Sequence, residues 1–489
     1  MNAKSTFRTF SLLFLLGIGT VSEGQQMLGL TFSTYSGVSS AMMNPALLTG
    51  SKSYIDVNLV GFGTSTSNNM YYFPAGANPL TKIVTLDTLD INNGDYKFGR
   101  SYNYYNNQWN KYIYNDEKIM GPSVMIQAGK HSFALSTSLR SVNSGNKIPF
   151  EIPILMYEGP EDIDYHGKNF NEHNYSFASM TWTEVGLSYA VDFYERYDSR
   201  FTFGATVKGL FGHEGGYLAM KNADFVIHDS KTVEFNNVDA EIGMSLPVNY
   251  ETNEFNMHPL TKGYGVGLDL GFVFTKKKST YNLGNERKIC AKPYSDYIYK
   301  IGFSIMDLGA ITFNQNAEKH SYKDVGLYWE HYDTLRYDGI RHTLNAYSQA
   351  FFGDPTASLT SDRIRIALPT VLSMQFDYHI SKSFYVAALW SHPLKFQLNQ
   401  LYHPAQISII PRYENRIVGV SVPLSLFNYL EPRIGLAVRI YSLTIGTDRL
   451  GSWMGVSNFS GMDVYVAFKI NLQKGICLSY LRGADSYGW

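Results

Sequence analysis

Alternation of apolar and polar residues at period two, recurring from about residue 54 to about residue 470, limits what this chain can fold into more than any other feature. In Tyr54 to Phe62, Ile55, Val57 and Leu59 share one face while Tyr54, Asp56 and Asn58 share the other. Phe133, Leu135 and Leu139 oppose Ser132, Ala134, Ser136, Ser138 and Arg140, and Val185, Leu187, Tyr189 and Val191 oppose Glu184, Gly186, Ser188 and Ala190. Phe201, Phe203, Ala205, Val207 and Phe211 oppose Thr202, Gly204, Thr206 and Lys208. The same pattern returns around Tyr264 to Phe272, Tyr299 to Ile305, Arg433 to Ile440 and Asp463 to Ile470. Period two with one apolar face means a half-buried strand. A soluble sandwich would pack its apolar faces against one another. Here the opposite face mixes Gly, Ser and Ala with single charges, which suits the crowded, partly wet lumen of a barrel whose apolar face meets lipid.

Mean hydropathy is −0.18, the value of a soluble protein, but lipid-facing and lumen-facing residues cancel in any average over a membrane barrel. Composition separates the two better. Aromatic residues make up 15% and charged residues only 17%, against about 25% in typical soluble domains. Such an aromatic excess fits girdles at both membrane interfaces, although a large secreted sandwich also favours Tyr and Gly. A formal net charge of −1 gives no basic footprint for nucleic acid. Two cysteines rule out a disulfide-stapled scaffold.

Lys4 and Arg8 precede an apolar stretch from about Phe10 to Val21 and a small polar break, the pattern of a signal peptide over 1–24. That stretch is shorter than the roughly 20 residues a membrane helix needs. Segment 25–52 follows, small and polar, with Asn44, Pro45 and Ala46 at its centre. It leads directly into the first alternating strand, as a lumenal hatch or as an ordinary turn before the wall. Proline fixes its own φ and pushes the preceding residue out of the helical region, so a kink is expected there. Connections at Gly129-Lys130, His379 to Lys382 and Tyr413 to Asn415 are tight. Those at about 64–119, 142–175, 213–262 and 310–363 are long, as between periplasmic and external ends of a barrel. The tally is about fourteen strands over 53–472, with a periplasmic tail over 473–489.

The stretch Ser-Gly-Val-Ser-Ser-Ala-Met-Met-Asn44-Pro45-Ala46 resembles the N-terminal hatch of long-chain fatty-acid transporter barrels of the FadL type. Further similarity lies in Met306-Asp307-Leu308-Gly309-Ala310-Ile311, in Leu368-Pro369 opening a strand, and in Ile445-Gly446-Thr447-Asp448-Arg449-Leu450 before the closing strand. Together these resemble an uncharacterised Bacteroidota outer-membrane β-barrel family related to those transporters. The resemblance implies a monomeric, hatch-plugged, all-β transmembrane antiparallel barrel in the outer membrane of a Gram-negative bacterium. It also implies capture of hydrophobic molecules outside and their release through a lateral or lumenal gap.

Asp56, Asn58, Glu184, Lys208, Asp269, Lys300, Asp307 and Asp377 are the expected lumen-lining polar residues, set to pair across the interior, to pin the hatch or to impose selectivity. Gly263, Gly265, Gly267 and Gly271 alternate with apolar residues, so they read as a lumenal row making room for the plug. No helix follows them to make a phosphate cradle. The twelve histidines form no recognisable zinc spacing, and no Gly-x-Ser-x-Gly elbow occurs, although strands could assemble a Ser, His and acid set. No cofactor, metal or catalytic residue is expected. Tyr102 to Tyr114 is rich in Tyr and Asn, suited to a solvated surface loop, to the tops of strands, or to sugar and protein contacts. Glu158, Glu161, Asp162 and Asp164 make another connection acidic, as a solvated loop or as a seat for a divalent ion or cross-bridged lipopolysaccharide. Cys290 and Cys477 fall on the periplasmic side as a candidate disulfide or as free thiols. The expected function is a passive conduit for small hydrophobic molecules. The alternative is a scaffold barrel docking outer-membrane or periplasmic proteins.

Overall fold

The computed structural model describes residues 27–75, 94–159, 162–196, 198–278, 296–334 and 339–472. The leader over 1–24, Glu161, Cys290, Cys477 and the tail over 473–489 lie outside the described residues. In chain order the strands of the main sheet are β1 (Ile55–Asn68), β2 (Lys111–Met120, resumed at Ser123–Ala128), β3 (His131–Ile148), β4 (Asn169–Glu195), β5 (Ser199–Ile227) and β6 (Val233–Ser245). Next come β7 (Gly263–Lys277), β8 (Tyr297–Phe313), β9 (Ala317–Trp329), β10 (Leu359–Ser361) and β11 (Ile364–Ala367, resumed at Val371–Ser381). The last are β12 (Phe384–Pro393), β13 (Gln406–Glu414), β14 (Val418–Ser421 and Leu424–Phe427), β15 (Glu431–Ile434 and Leu436–Ile440), β16 (Leu443–Thr447) and β17 (Asp463–Leu472).

Omitting β6, β9 and β10, fourteen strands pair antiparallel in sequence order, and β17 returns to β1 from Ile55↔Leu472 to Ser65↔Asp463. The ring is therefore closed. Closure is the β solution to crossing lipid, because a strand there must find all its backbone partners in neighbouring strands. Among the described residues no helix is long and apolar enough to cross a membrane.

The two faces of the wall differ as the alternation requires. Leu187 is 64% exposed and Val207 54%, while their neighbours Ser188 and Lys208 point inward at 5% and 8%. Outward aromatics gather at two levels. Towards the end of the short turns, Phe193, Phe201, Phe272, Phe274, Tyr299 and Phe376 form a continuous row, with Phe384 beside Tyr413. Towards the other end Phe211 meets Tyr264, and Trp390 and His392 share the Tyr429 hydroxyl at 2.9 Å each. Along β5 the two levels lie ten residues apart from Phe201 to Phe211. At about 3.3 Å per residue and a tilt of about 40°, that spans about 25 Å, the height of the apolar band in outer-membrane barrels.

The long connections expected from sequence are in large part strand. β4 and β5 run 27 and 29 residues, far beyond the roughly 9–11 that cross a membrane. Below, Ser199 to Gly212 of β5 pairs with β7; above, Gly215 to Ile227 pairs with β6, which pairs in turn with β9. The wall thus continues beyond the barrel as an outer branch of the same sheet. Helix Ile340–Phe352 covers it, packing Leu344 on Met244 and Tyr250, and Tyr347 and Phe351 on Val238, Ala240 and Tyr322.

Placing Arg at Val207, midway between the two aromatic levels, is expected to destabilise the barrel in bilayers by about 2–4 kcal/mol. The check is chemical denaturation of protein folded into vesicles; an unchanged midpoint would mean that this face does not meet lipid.

Candidate functional site: an occupied lumen

Residues 27–53 lie inside the barrel. Asn44 has an extended backbone, with φ −160° and ψ 112°, and caps a short 3₁₀ turn in which Pro45 takes the first position. Its Oδ1 accepts from Ala46 N at 2.9 Å, satisfying a donor that the turn leaves free. Its Nδ2 donates to Gln375 Oε1 at 2.9 Å and lies 3.2 and 3.3 Å from the Phe303 and Phe272 carbonyls, so one amide ties the kink to β7, β8 and β11. The wall is flat where the kink rests. A Cβ built at Gly204 would run into the Pro45–Ala46 peptide, and one at Gly271 into the Asn44 side chain.

The rest of the segment is held all round the ring. Leu28 N donates to Asp448 at 3.3 Å and Gly29 N to the Tyr465 hydroxyl at 2.9 Å. Thr34 gives both its N–H and its hydroxyl to Glu414, Val38 N donates to Asp56 at 2.8 Å, and the Ser36 carbonyl accepts from Lys469. Met43 O accepts from Ser304 at 2.7 Å, Thr49 Oγ1 donates to Asp192 at 2.8 Å, and Thr49 O accepts from Gln127 at 2.6 Å. Apolar contact adds to this, with Leu28, Phe32 and Met43 against Ala387, Leu389 and Ile410, and Val38 and Leu48 against Met125, Ala134 and Ala190.

Beside this segment a ring of charge crosses β2 to β8. Asp307 accepts from Arg140 at 2.9 Å and from Lys208 at 2.5 Å, and Lys208 also reaches Asp269 at 2.8 Å. Glu184 lies 3.5 Å from Arg140 and 3.4 Å from Lys118, and accepts from Ser138 at 2.8 Å. Asp307 sits at φ +57°, a left-handed conformation that Asp tolerates better than most side chains. It forms a bulge, because Leu268 pairs with Leu308 whereas Leu270 pairs with Ile305. Asp269 caps the bulge by accepting from Asp307 N at 2.7 Å. The extra residue turns both Met306 and Asp307 inward, which delivers the carboxylate to two buried cations.

Above the charges the lumen is apolar. Tyr114, Trp182, Leu210, Phe313, Ile366 and Leu368 point inward and pack together. The connection 394–405 folds across the mouth onto them, with Leu401 1% exposed. It is fastened to the far wall by Tyr402 N to Ser144 Oγ at 2.9 Å and Lys395 to Ser176 Oγ at 2.6 Å. Two cavities among the described residues are small. The cavity between the segment and Lys300, Gln375 and Asp377 holds about 30 Å³, and that between Tyr114, His403 and Arg433 about 10 Å³. A cavity of about 150 Å³ is the size that takes a benzene ring.

All eight polar residues expected in the lumen lie in the barrel interior and are at most 9% exposed. They do not converge on one point. Asp56 pairs with Lys469 at 3.1 Å, and Asn58 donates to the Gly121 carbonyl at 3.2 Å where Pro122 interrupts β2. Lys300 lies over the Tyr297 ring, and Asp377 accepts from Tyr297 and Arg412 at 2.7 Å each. Sequence reasoning missed the partners Arg412, Glu414, Asp192 and Asp448, although Arg140, Asp463 and Lys469 stood on polar faces. The expected glycine row is corrected: of its four members Gly271 meets the segment, while Gly263 and Gly265 lie against β8 backbone and Gly267 against Lys208 and Leu368. In the acidic connection, Lys97 bridges Glu158 and Asp162.

A Ser, His and acid set does come together in the outer sheet, with Glu318 and His320 both on β9 and Ser358 in the turn before β10. Ser358 Oγ lies 2.9 Å from His320 Nδ1, and His320 Nε2 3.3 Å from Glu318. Ser358 has no exposed surface, and its N–H donates to Ser348 on the covering helix. In this arrangement the set fastens helix to sheet and leaves no approach to the hydroxyl.

Asp307→Asn leaves Arg140 and Lys208 buried with one countercharge fewer, a loss expected to cost about 3–5 kcal/mol. Thermal unfolding in detergent, followed by the electrophoretic shift of folded barrel, measures it; Asp307→Gly, which keeps the bulge but not the charge, should fall by a similar amount.

Among solved structures the chain is similar to the toluene transporter TodX of P. putida, at 10% identity and a TM-score of 0.38 over 90% of this chain and 95% of that one. It is also similar to CymD, a monoaromatic hydrocarbon channel, at 8% identity and a TM-score of 0.31 over 92% and 98%. A Pseudomonas aeruginosa FadL homologue matches at 9% identity and a TM-score of 0.19 over 88% and 91%. No curated protein matches the chain. A family model matches residues 45–448, and the chain belongs to that family of unknown function, DUF5723.

Proposed function

We propose that the protein is a passive outer-membrane conduit for small hydrophobic molecules, gated by displacement of the N-terminal segment around Asn44, Pro45 and Ala46. The observation that carries this reading is the way the segment is held. It fills the barrel through hydrogen bonds spread over many strands and through apolar contacts of Met27, Leu28, Leu30, Phe32, Val38, Met43 and Leu48, with glycines beneath its kink. A permanent plug gains most from one continuous apolar core. This one divides its apolar side chains among three separate clusters, and its kink rests in a close-fitting polar seat, so no single core locks it in place.

The lumen above the seat is lined by Trp182, Leu210, Phe313, Ile366 and Leu368, which would favour an apolar passenger over an ion. The charge ring below it opposes passage of unpaired ions by offering both signs at close range. For anything to pass, the segment and the inward-folded connection 394–405, which occupy the lumen, have to move aside. The resemblance to fatty-acid transporter barrels in the Asn-Pro-Ala element points the same way. A scaffold reading draws on the outer sheet, whose helix-covered surface offers a partner a rigid platform. Stoichiometric proteins co-purifying from native membranes would favour that reading over the conduit.

Deleting Met42 to Leu47 should raise uptake of a hydrophobic fluorescent probe by cells carrying the variant; unchanged uptake would count against the conduit. A reversible lock gives the converse test. Thr49 Oγ1 and Thr202 Oγ1 lie 3.4 Å apart, so Thr49→Cys with Thr202→Cys, in a Cys290→Ser, Cys477→Ser background, should form a disulfide. Uptake should fall on oxidation and return on reduction, and equal uptake in the two states would refute gating by the segment.

A further inference from the structure

Between β6 and β7 the chain leaves the wall as the excursion 246–262, at the level where the membrane barrel gives way to the outer sheet. Its tip carries Phe255, Met257 and Leu260, exposed to 70%, 47% and 57%. The excursion lies on the outside of the cylinder. His213 accepts from Thr183 at 2.8 Å through Nε2 and donates to the Leu260 carbonyl at 2.9 Å through Nδ1. Both side chains stand on the outward faces of their strands, beside the aromatic pair Phe211 and Tyr264. Directly below, Tyr264 and Val266 are exposed to 60% and 65% as part of the apolar belt.

Three properties of the excursion match an interfacial position. Residues 255 to 261 carry no permanent charge; of the charges that flank them, the exposed Glu254 accepts from Thr252 Oγ1 at 3.4 Å, Glu251 is paired with Arg341 at 2.8 Å, and Lys262 turns back to the Pro259 carbonyl at 2.9 Å. The backbone is largely satisfied within the loop, by Asn249 N to Glu254 O, Asn253 N to Asn249 O and Asn256 N to Pro247 O at 2.8–2.9 Å. The exposed apolar side chains are also continuous with the belt that faces lipid, where a lone hydrophobic patch in water would be unfavourable. We infer that Phe255, Met257 and Leu260 insert into the outer leaflet against its acyl chains, forming a shallow anchor outside the barrel wall. Irregular backbone does not occur at hydrocarbon depth when it faces lipid, so the anchor sits at the headgroup boundary with its side chains pointing down.

The inference depends on the lipid-facing belt and not on the gate, so it survives failure of the conduit. The test uses the full barrel in phosphatidylcholine vesicles, with Cys290→Ser and Cys477→Ser and an environment-sensitive fluorophore on Met257→Cys. The reference is the same label on Lys221→Cys in the outer sheet. The label at 257 should emit further to the blue than the reference. Lipids carrying a spin label near the headgroup should quench it more than lipids labelled near the chain end, and iodide should quench it little. Quenching by iodide with no response to lipid labels would overturn the inference, as would a label that neither quencher reaches, the result expected if a protein surface covers the tip. Retention of the folded electrophoretic form in both variants shows that the barrel is intact.

Discussion

Backbone hydrogen bonding in a medium that offers no partners governs the whole molecule. A strand in lipid must be paired on both sides, so the sheet has to close, and a closed cylinder of fourteen strands encloses more space than its own side chains readily fill. The interior must then hold water or protein. Here it holds protein in three tiers: the N-terminal segment in its polar seat, a belt of salt bridges, and an apolar plug completed by a connection folded inward. Each tier solves the same space problem with different chemistry. The charges are affordable because each has a countercharge nearby, as at Asp307, where Arg140 and Lys208 share one carboxylate.

The wall was legible in the sequence because its physics is local. Leu187 and Ser188 face opposite ways in any register, so alternation alone assigned lipid and lumen faces. It also placed the eight expected polar residues inside. Their partners were not legible. Arg140 and Asp307 stand 167 positions apart, and no local pattern says that their strands lie near each other across the ring. The bulge at Asp307 left no period-two mark either, since one inserted residue looks like an ordinary lapse in alternation.

The outer sheet was misjudged for a related reason. Tyr, Asn and charged residues beyond the membrane resemble loop composition, yet β4 and β5 continue into that region because their partners continue with them. The apolar upper lumen was hidden by the rule that found the wall. Where Trp182, Leu210 and Ile366 face inward, both sides of the strand are apolar or mixed, and alternation cannot say which side is wet.

The meeting of the first and last strands couples closure of the wall to filling of the lumen. Tyr465 and Lys469 of β17 hold Gly29 and Ser36 on the inner side of the same strand that pairs with β1 along its edge. One strand therefore closes the wall with its edge and holds the lumenal segment with its inner face. Loosening the seam would loosen the seat of Gly29 and Ser36 with it, so the wall and its contents respond together.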